Sequence, residues 1–316
     1  MKKAKSEGFK TFLNGYGVVT IVLIAVFIVM SFLSKNFMTG VNMYNLMRST
    51  AVYGIIALAM TFVIVTGGID LSVGTHVGMA GMVVALLTVN QVCGIWPAVF
   101  IALALCAVIG LINGIMIYDG GLPPFIATLG MMMITRAIIL LISNAKNITG
   151  LPQSFLAVSK MKVGPIPFMA VVWFIAIAIS FFIFKYTVFG RNVFSVGSNI
   201  EAARLSGIPV RRTTYGVYVL SGIFCGVGGI LLTSRVASGI PTLGTGYEMN
   251  AIAAAVVGGA SMNGGEGYIG GTVVGSILIA TIANAGTLLG LNSNITDIIV
   301  GVLIVASVLI DKFRKH

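Results

Sequence analysis

The run GVVTIVLIAVFIVMSFL at residues 17–33 carries no charge, and nine further apolar segments follow it. They lie at about 45–66, 72–90, 95–117, 123–143, 168–188, 214–234, 249–262, 268–290 and 294–310. Roughly 20 apolar residues in helical conformation cross the hydrocarbon core of a bilayer. Backbone groups in hydrocarbon need internal partners, which leaves helices or closed barrels, and these unbroken runs lack the alternation of a barrel strand. Of the 316 residues, 58% are hydrophobic and 9% charged, against about a quarter charged in water-soluble domains. The expected fold is an all-α polytopic membrane protein. It has about ten transmembrane helices, some broken, in a single domain over residues 1–316.

Several function classes fall away on composition. The opening MKKAKSEGFK before an apolar run looks like a signal peptide, but the run ends in SFLSKNF without a small-x-small cleavage site, so it reads as a retained helix. Cys93, Cys106 and Cys225 are isolated, which indicates neither a disulfide framework nor a metal site. The net charge of +11 marks cytoplasmic loops rather than a nucleic-acid surface. With the N-terminus inside, cytoplasmic segments hold Lys2, Lys3, Lys5, Lys10, Lys185, Arg191, Arg204, Arg211, Arg212, Lys312, Arg314 and Lys315. External segments hold Lys35, Arg48, Lys146, Lys160, Lys162 and Arg235. That bias puts both termini in the cytoplasm and residues 144–167 outside.

The 40 glycines cluster inside the spans, as in GMAGMVVALL and GIFCGVGGILL, where small residues let membrane helices approach closely. Two stretches look alike. IALAMTFVIVTGGIDLSVGTHVGMAG (56–81) resembles AIAAAVVGGASMNGGEGYIGG (251–271), pairing Gly67-Gly68 with Gly258-Gly259, Asp70 with Ser261 and Gly74 with Gly265. This is the pattern of an internal repeat, common in transporters. The eighth apolar segment is short and reads as a half-helix ending at membrane depth.

The longest polar stretch between spans is residues 185–216. Within it, SNIEAARLSGI reads as a short helix: Ser198 or Asn199 caps it, Glu201 lies in its first turn, and Gly207-Ile208-Pro209 stops it. Ala202, Ala203 and Leu205 form a small apolar face that a partner's groove would accept; a solvated helical connector is the competing reading. Glu201-Ala202-Ala203 followed by Gly207 matches the EAA-x-x-x-G loop by which permeases of ATP-driven (ABC) importers dock onto their ATPase subunits. Together with TGGIDLSVG, PPFIATLGMMMITRAI, FGRNVFSVGSNIEAARLSGIPV, GTGYEMNAIAAAVVGGASMNGG and VLIDKFRKH, it resembles the permeases of ribose/galactose/xylose-type bacterial sugar importers. The resemblance runs from about residue 30 to the end. The Ile-x-Leu-Pro continuation that other importer families have after Gly207 is absent here.

The resemblance implies a transport subunit rather than an enzyme, without cofactor or metal, in the bacterial cytoplasmic membrane. Its partners would be ATP-binding cassette ATPase subunits, an extracytoplasmic sugar-binding protein and a second permease subunit. Residues 189–213 would be the coupling loop, with Glu201, Ala202, Ala203, Arg204 and Gly207 at the ATPase. The chain itself has no G-x-x-x-x-G-K-[ST] to cradle phosphates. A secondary transporter would need a coupling-ion site, yet only Asp70, Glu248 and Asp297 lie in or beside spans, widely separated. A metal-dependent intramembrane enzyme has too few histidines, His76 and His316. Related importer permeases carry branched-chain amino acids or nucleosides, and an amino-acid zwitterion calls for a charged or helix-dipole clamp.

Candidate path residues are instead neutral hydrogen bonders and aromatics: Ser72, Asn113, Phe125, Thr128, Tyr247, Asn250 and Asn263, with Asp70. Thr66 and Tyr268 belong to the same inventory. Asp70 has two readings, a structural acceptor at the cytoplasmic interface for the N–H groups that start the third helix, or a sugar-binding carboxylate. Ser72 is the expected cap of that helix. Arg136 reads as a snorkelling or paired cation near the outer interface, and His76 as a packing residue.

Overall fold

The computed structural model describes residues 17–314. Lys2, Lys3, Lys5, Lys10 and Lys315, and with them the placing of both termini, lie outside the described residues. In chain order the helices are α1 (Val18–Leu33), α2 (Gly40–Val65), α3 (Val73–Val89), α4 (Ile95–Tyr118), α5 (Pro124–Ile142) and α6 (Gln153–Lys160). A hairpin of β1 (Lys162–Val163) and β2 (Ile166–Pro167) comes next. Then follow α7 (Phe168–Tyr186), α8 (Val188–Ser198), α9 (Ile200–Leu205), α10 (Val210–Val236), α11 (Tyr247–Val257), α12 (Ile269–Leu288) and α13 (Ser293–Arg314).

Each of the ten apolar segments is helical, but they are not alike in reach. Six helices are long and apolar enough to cross a membrane: α2, α4, α5, α7, α10 and α12. The apolar helices α1, α3 and α11, and residues 294–306 of α13, are shorter. Among the described residues, length and composition alone support six crossings of the expected ten or so. The 11 residues of α11 rise only about 16 Å, half the hydrocarbon thickness, as its short apolar segment predicts. Two helices went unread in the sequence, α6 and α8. The latter buries Gly190, Val193 and Val196, a stripe too short and too interrupted by polar residues to stand out.

Helix α2 is the axis of the bundle. From Ala51 to Val65 every residue but Tyr53 is buried, the fate of a helix apolar on all sides. Helices α7, α10, α11 and α12 pack around it. Polar ties add direction to these contacts: Asn42 and Asn284 exchange amide hydrogen bonds of 3.0 and 2.8 Å between α2 and α12. Thr61 and Thr272 lie 2.7 Å apart between the same helices.

The α4–α10 contact depends on missing side chains, as the glycine clustering suggests. A Cβ on Gly110 would strike the Tyr218 carbonyl, and one on Gly222 the Cys106 carbonyl, so the backbones touch where dispersion is strongest. Outward faces stay greasy: Phe32 is 87% exposed, Leu141 75% and Trp96 74%, a surface suited to lipid.

Because the obstacle at Gly110 is backbone rather than a movable side chain, Gly110→Ala should destabilise the chain by about 1–3 kcal/mol through overpacking. Gly130, whose Cβ would meet nothing within 4 Å, should tolerate Ala. Thermal melting of the two variants in detergent checks this, with a lowered midpoint expected only for Gly110→Ala.

Candidate functional site

Two places concentrate the polar chemistry, the turn after α2 and the short helix α9. Helix α2 ends in a left-handed glycine. Gly67 has φ +76°, its N–H bonds to Ile64 O at 2.8 Å, and Gly68 N–H reaches Val63 O at 3.1 Å. This double closure satisfies carbonyls that would otherwise be stranded. Helix α11 ends the same way one residue later than the sequence pairing implies. The left-handed residue is Gly259 (φ +93°), with Gly259 N–H on Val256 O and Ala260 N–H on Ala255 O. Gly67 therefore matches Gly259 rather than Gly258, and the Asp70–Ser261 pairing shifts with it.

Asp70 is fully buried within the bundle. Its Oδ1 accepts the Ser72 N–H at 3.0 Å and the Ser72 hydroxyl at 2.5 Å, and its Oδ2 accepts the Ser221 hydroxyl at 2.9 Å from α10. Ser72 does occupy the N-cap position of α3, but its hydroxyl makes no capping bond; it serves the carboxylate instead. The same hydroxyl accepts from Asn113 Nδ2 at 2.9 Å, which brings in α4. Thr128 of α5 accepts the Leu71 N–H at 3.2 Å. His76 Nδ1 lies 2.8 Å from the Ser72 carbonyl, a packing role.

Five helices thus converge on residues 69–72, and Asp70, Ser72, Asn113 and Thr128 from the sequence inventory stand together. Phe125, Tyr247, Asn250 and Asn263 do not join them. Phe125 is 51% exposed on α5. Tyr247 stacks on Tyr53 with centroids 4.9 Å apart. Asn250 Nδ2 returns to Gly246 O, and Asn263 is an exposed residue of the loop after α11. Ser221 and Tyr53 were not legible in the sequence, being 151 and 194 residues from the groups they meet. Arg136 gives its guanidinium to Pro241 O, Leu243 O and Thr245 Oγ1, three neutral oxygens of the loop before α11.

Helix α9 is closed at both ends. Asn199, not Ser198, is the N-cap, its Oδ1 accepting Ala202 N–H at 2.9 Å. Gly207 (φ +77°) closes the other end, with Gly207 N–H on Arg204 O and Ile208 N–H on Ala203 O, both 3.0 Å. Ala203 alone points inward, packing with Val196, Ile208 and Val210. The expected common apolar face is split. Glu201, Ala202 and Arg204 are exposed, and Leu205 is 85% exposed. A cleft of about 450 Å³ opens beside the helix, lined by Phe194, Ser195, Ser198, Asn199, Ala202 and Ser206 among others.

The carboxylate knot sets a clear expectation. Asp70→Asn keeps an acceptor for Ser72 N–H, and its amide can donate to a reoriented Ser221 hydroxyl. Asp70→Ala strands three donors, each costing about 1–3 kcal/mol when buried unpaired. Folded yield by detergent size-exclusion should stay near normal for Asn and fall severely for Ala.

Comparison with known proteins gives these features their context. Residues 42–308 match the family described as branched-chain amino acid transport system / permease component. The ribose import permease of Bacillus subtilis strain 168 is 39% identical over 292 residues, covering 91% of this chain and 90% of that protein. The galactose/methyl galactoside import permease of Escherichia coli K12 is 36% identical, covering 99% and 98%. The L-arabinose transport system permease of the same strain is 33% identical, covering 98% and 94%. No solved structure matches the chain. With the match spanning most of its length, the chain belongs to this family of transport-system permease components, as a multi-pass membrane protein.

Proposed function

We propose that this chain is the membrane-spanning subunit of an ATP-driven importer and forms the path of a monosaccharide across the bacterial cytoplasmic membrane. Separate ATPase subunits supply the work, an extracytoplasmic binding protein delivers the sugar, and a second permease subunit completes the path. The observation that carries the reading is α9. A six-residue helix capped at both ends, holding one alanine against the bundle and presenting Glu201, Ala202, Arg204 and Leu205 outward, is a rigid knob that none of the described residues covers on that side. Exposed apolar area of this kind favours a partner's groove. The relatives' names, which speak of ribose, galactose and arabinose, support a neutral polyol as cargo. Phe125, Tyr247, Asn250 and Asn263 remain the proposed sugar contacts; Asp70, Ser72, Asn113 and Thr128 belong to the buried knot and position helices around the path.

In this reading both termini and residues 189–213 face the cytoplasm and residues 144–167 face outside. Cysteines at the exposed positions Lys160 and Arg212 should label with an impermeant reagent from outside and from inside, respectively. The opposite pattern overturns the orientation.

The docking role has its own test. Gly207 sits at φ +77°, where a β-branched residue costs about 1–2 kcal/mol or more. Gly207→Val should leave the protein inserted but lower ATP-dependent sugar uptake about tenfold or more, together with sugar-stimulated ATPase of the reconstituted complex. Normal uptake by that variant would return the loop to the status of a connector.

A further inference from the structure

Three backbone segments meet without intervening side chains beneath α9, and they come from distant parts of the chain. The first is the end of α2, Val65–Gly67. The second is the end of α8, Gly197–Ser198, directly before the Asn199 cap of α9. The third is Gly264–Gly265 in the loop between α11 and α12. Gly265 N–H bonds to the Val65 carbonyl at 2.8 Å, closing one of the carbonyls that a helix end leaves open. A Cβ on Gly197 would collide with that same carbonyl oxygen and lie 2.6 Å from Gly265 N. A Cβ on Gly264 would lie 2.6 Å from Gly197 O and 2.9 Å from Gly67 N, and one on Gly265 would lie 2.9 Å from Ser198 Cα.

We propose that this junction, with Gly197 as its positioning residue, makes α8–α9 and the two glycine turns after α2 and α11 move as one body, so that displacement of α9 reaches the bundle core directly. Side-chain contacts yield by rotamer change, whereas backbone packed on backbone has little to give. What lies on either side gives the junction its use. Outward is the exposed helix α9. Inward is α2, the buried axis, whose next turn holds Asp70 and through it α3, α4 and α10. The short helix α11 enters from the other half of the chain. A push on α9 thus arrives at both half-buried turns at once, without crossing a deformable layer.

The inference rests on the importer reading, and its test separates the two. In the reconstituted complex, Gly197→Ala should assemble with the ATPase and keep basal ATP hydrolysis within about twofold. Its maximal uptake rate should fall about tenfold with half-saturating sugar unchanged, the mark of lost coupling rather than lost binding. Uptake within about twofold of the native chain overturns the junction's role. A second measurement needs no change at Gly197. Spin labels at Leu205→Cys and Asn263→Cys, in a chain carrying Cys93→Ser, report the separation of α9 from the loop after α11. That separation should stay constant, within about 2 Å, between nucleotide-free and ATP-trapped complexes; a change of about 5 Å or more means the two slide and overturns the proposal, even where Gly197→Ala fails to assemble. Failure of the native chain to associate with any ATPase would overturn the importer reading instead.

Discussion

A helix that stops inside a membrane protein leaves its last carbonyls without water, and this constraint shapes the chain more than any single side chain. Among the described residues four helix ends are closed by the same device, a left-handed glycine with two backward hydrogen bonds: Gly67 after α2, Gly259 after α11, Gly207 after α9 and Gly290 after α12. The glycines themselves are exposed or half-buried, while the residues that follow Gly67 and Gly259, Gly68 and Ala260, are buried. Closure by backbone alone lets the following residues turn sharply, and the turn after α2 can then place residues 69–72 where α3, α4, α5 and α10 reach them. Without that cap, the carboxylate knot would have no fixed origin.

The carboxylate itself shows how a costly group becomes useful. An isolated charge in an apolar interior is heavily penalised, and hydrogen bonds to it offset the penalty only when they are complete. Ser72 supplies two donors and Ser221 a third, while Asn113 holds the Ser72 hydroxyl in place. The set is directional where the surrounding packing is not. It ties the α2–α3 turn to α4 and α10, the same two helices whose glycine faces touch backbone to backbone.

Much of this was legible before any coordinates. The apolar runs locate ten of the helices, the short eighth segment gives α11 its half length, and Asn199 and Gly207 mark α9 at both ends because capping chemistry is local. What could not be read was distant or geometric. Ser221 is one serine among many in an apolar helix, and only folding sets it against Asp70. The role of Ser72 was misassigned because an N-cap position suggests a capping side chain, while the neighbouring carboxylate offers its hydroxyl a stronger, charge-assisted acceptor. The Gly-Gly pairs were aligned by identity, whereas the structural equivalence follows which glycine is left-handed. Hydropathy also registers apolar content but not helix length, so it does not separate the six long apolar helices from the four shorter ones.

The contrast between directional and non-directional contact bears on how such a bundle can change shape and still hold together. Apolar faces packed through glycines and alanines gain dispersion energy in many nearby registers, since each contact is small and none is specific. Polar ties hold one register. Here they concentrate on α2, α3, α4, α10 and α12, through Asp70–Ser221, Ser72–Asn113, Thr61–Thr272 and Asn42–Asn284. Helix α7 meets α2 through the Trp173 ring set against Gly54, a contact of shape alone. A frame held by hydrogen bonds, flanked by helices held by shape, has its stiff and yielding parts laid out in advance. A load entering through α9 meets the stiff part first, because the backbone junction beneath it leads straight to α2.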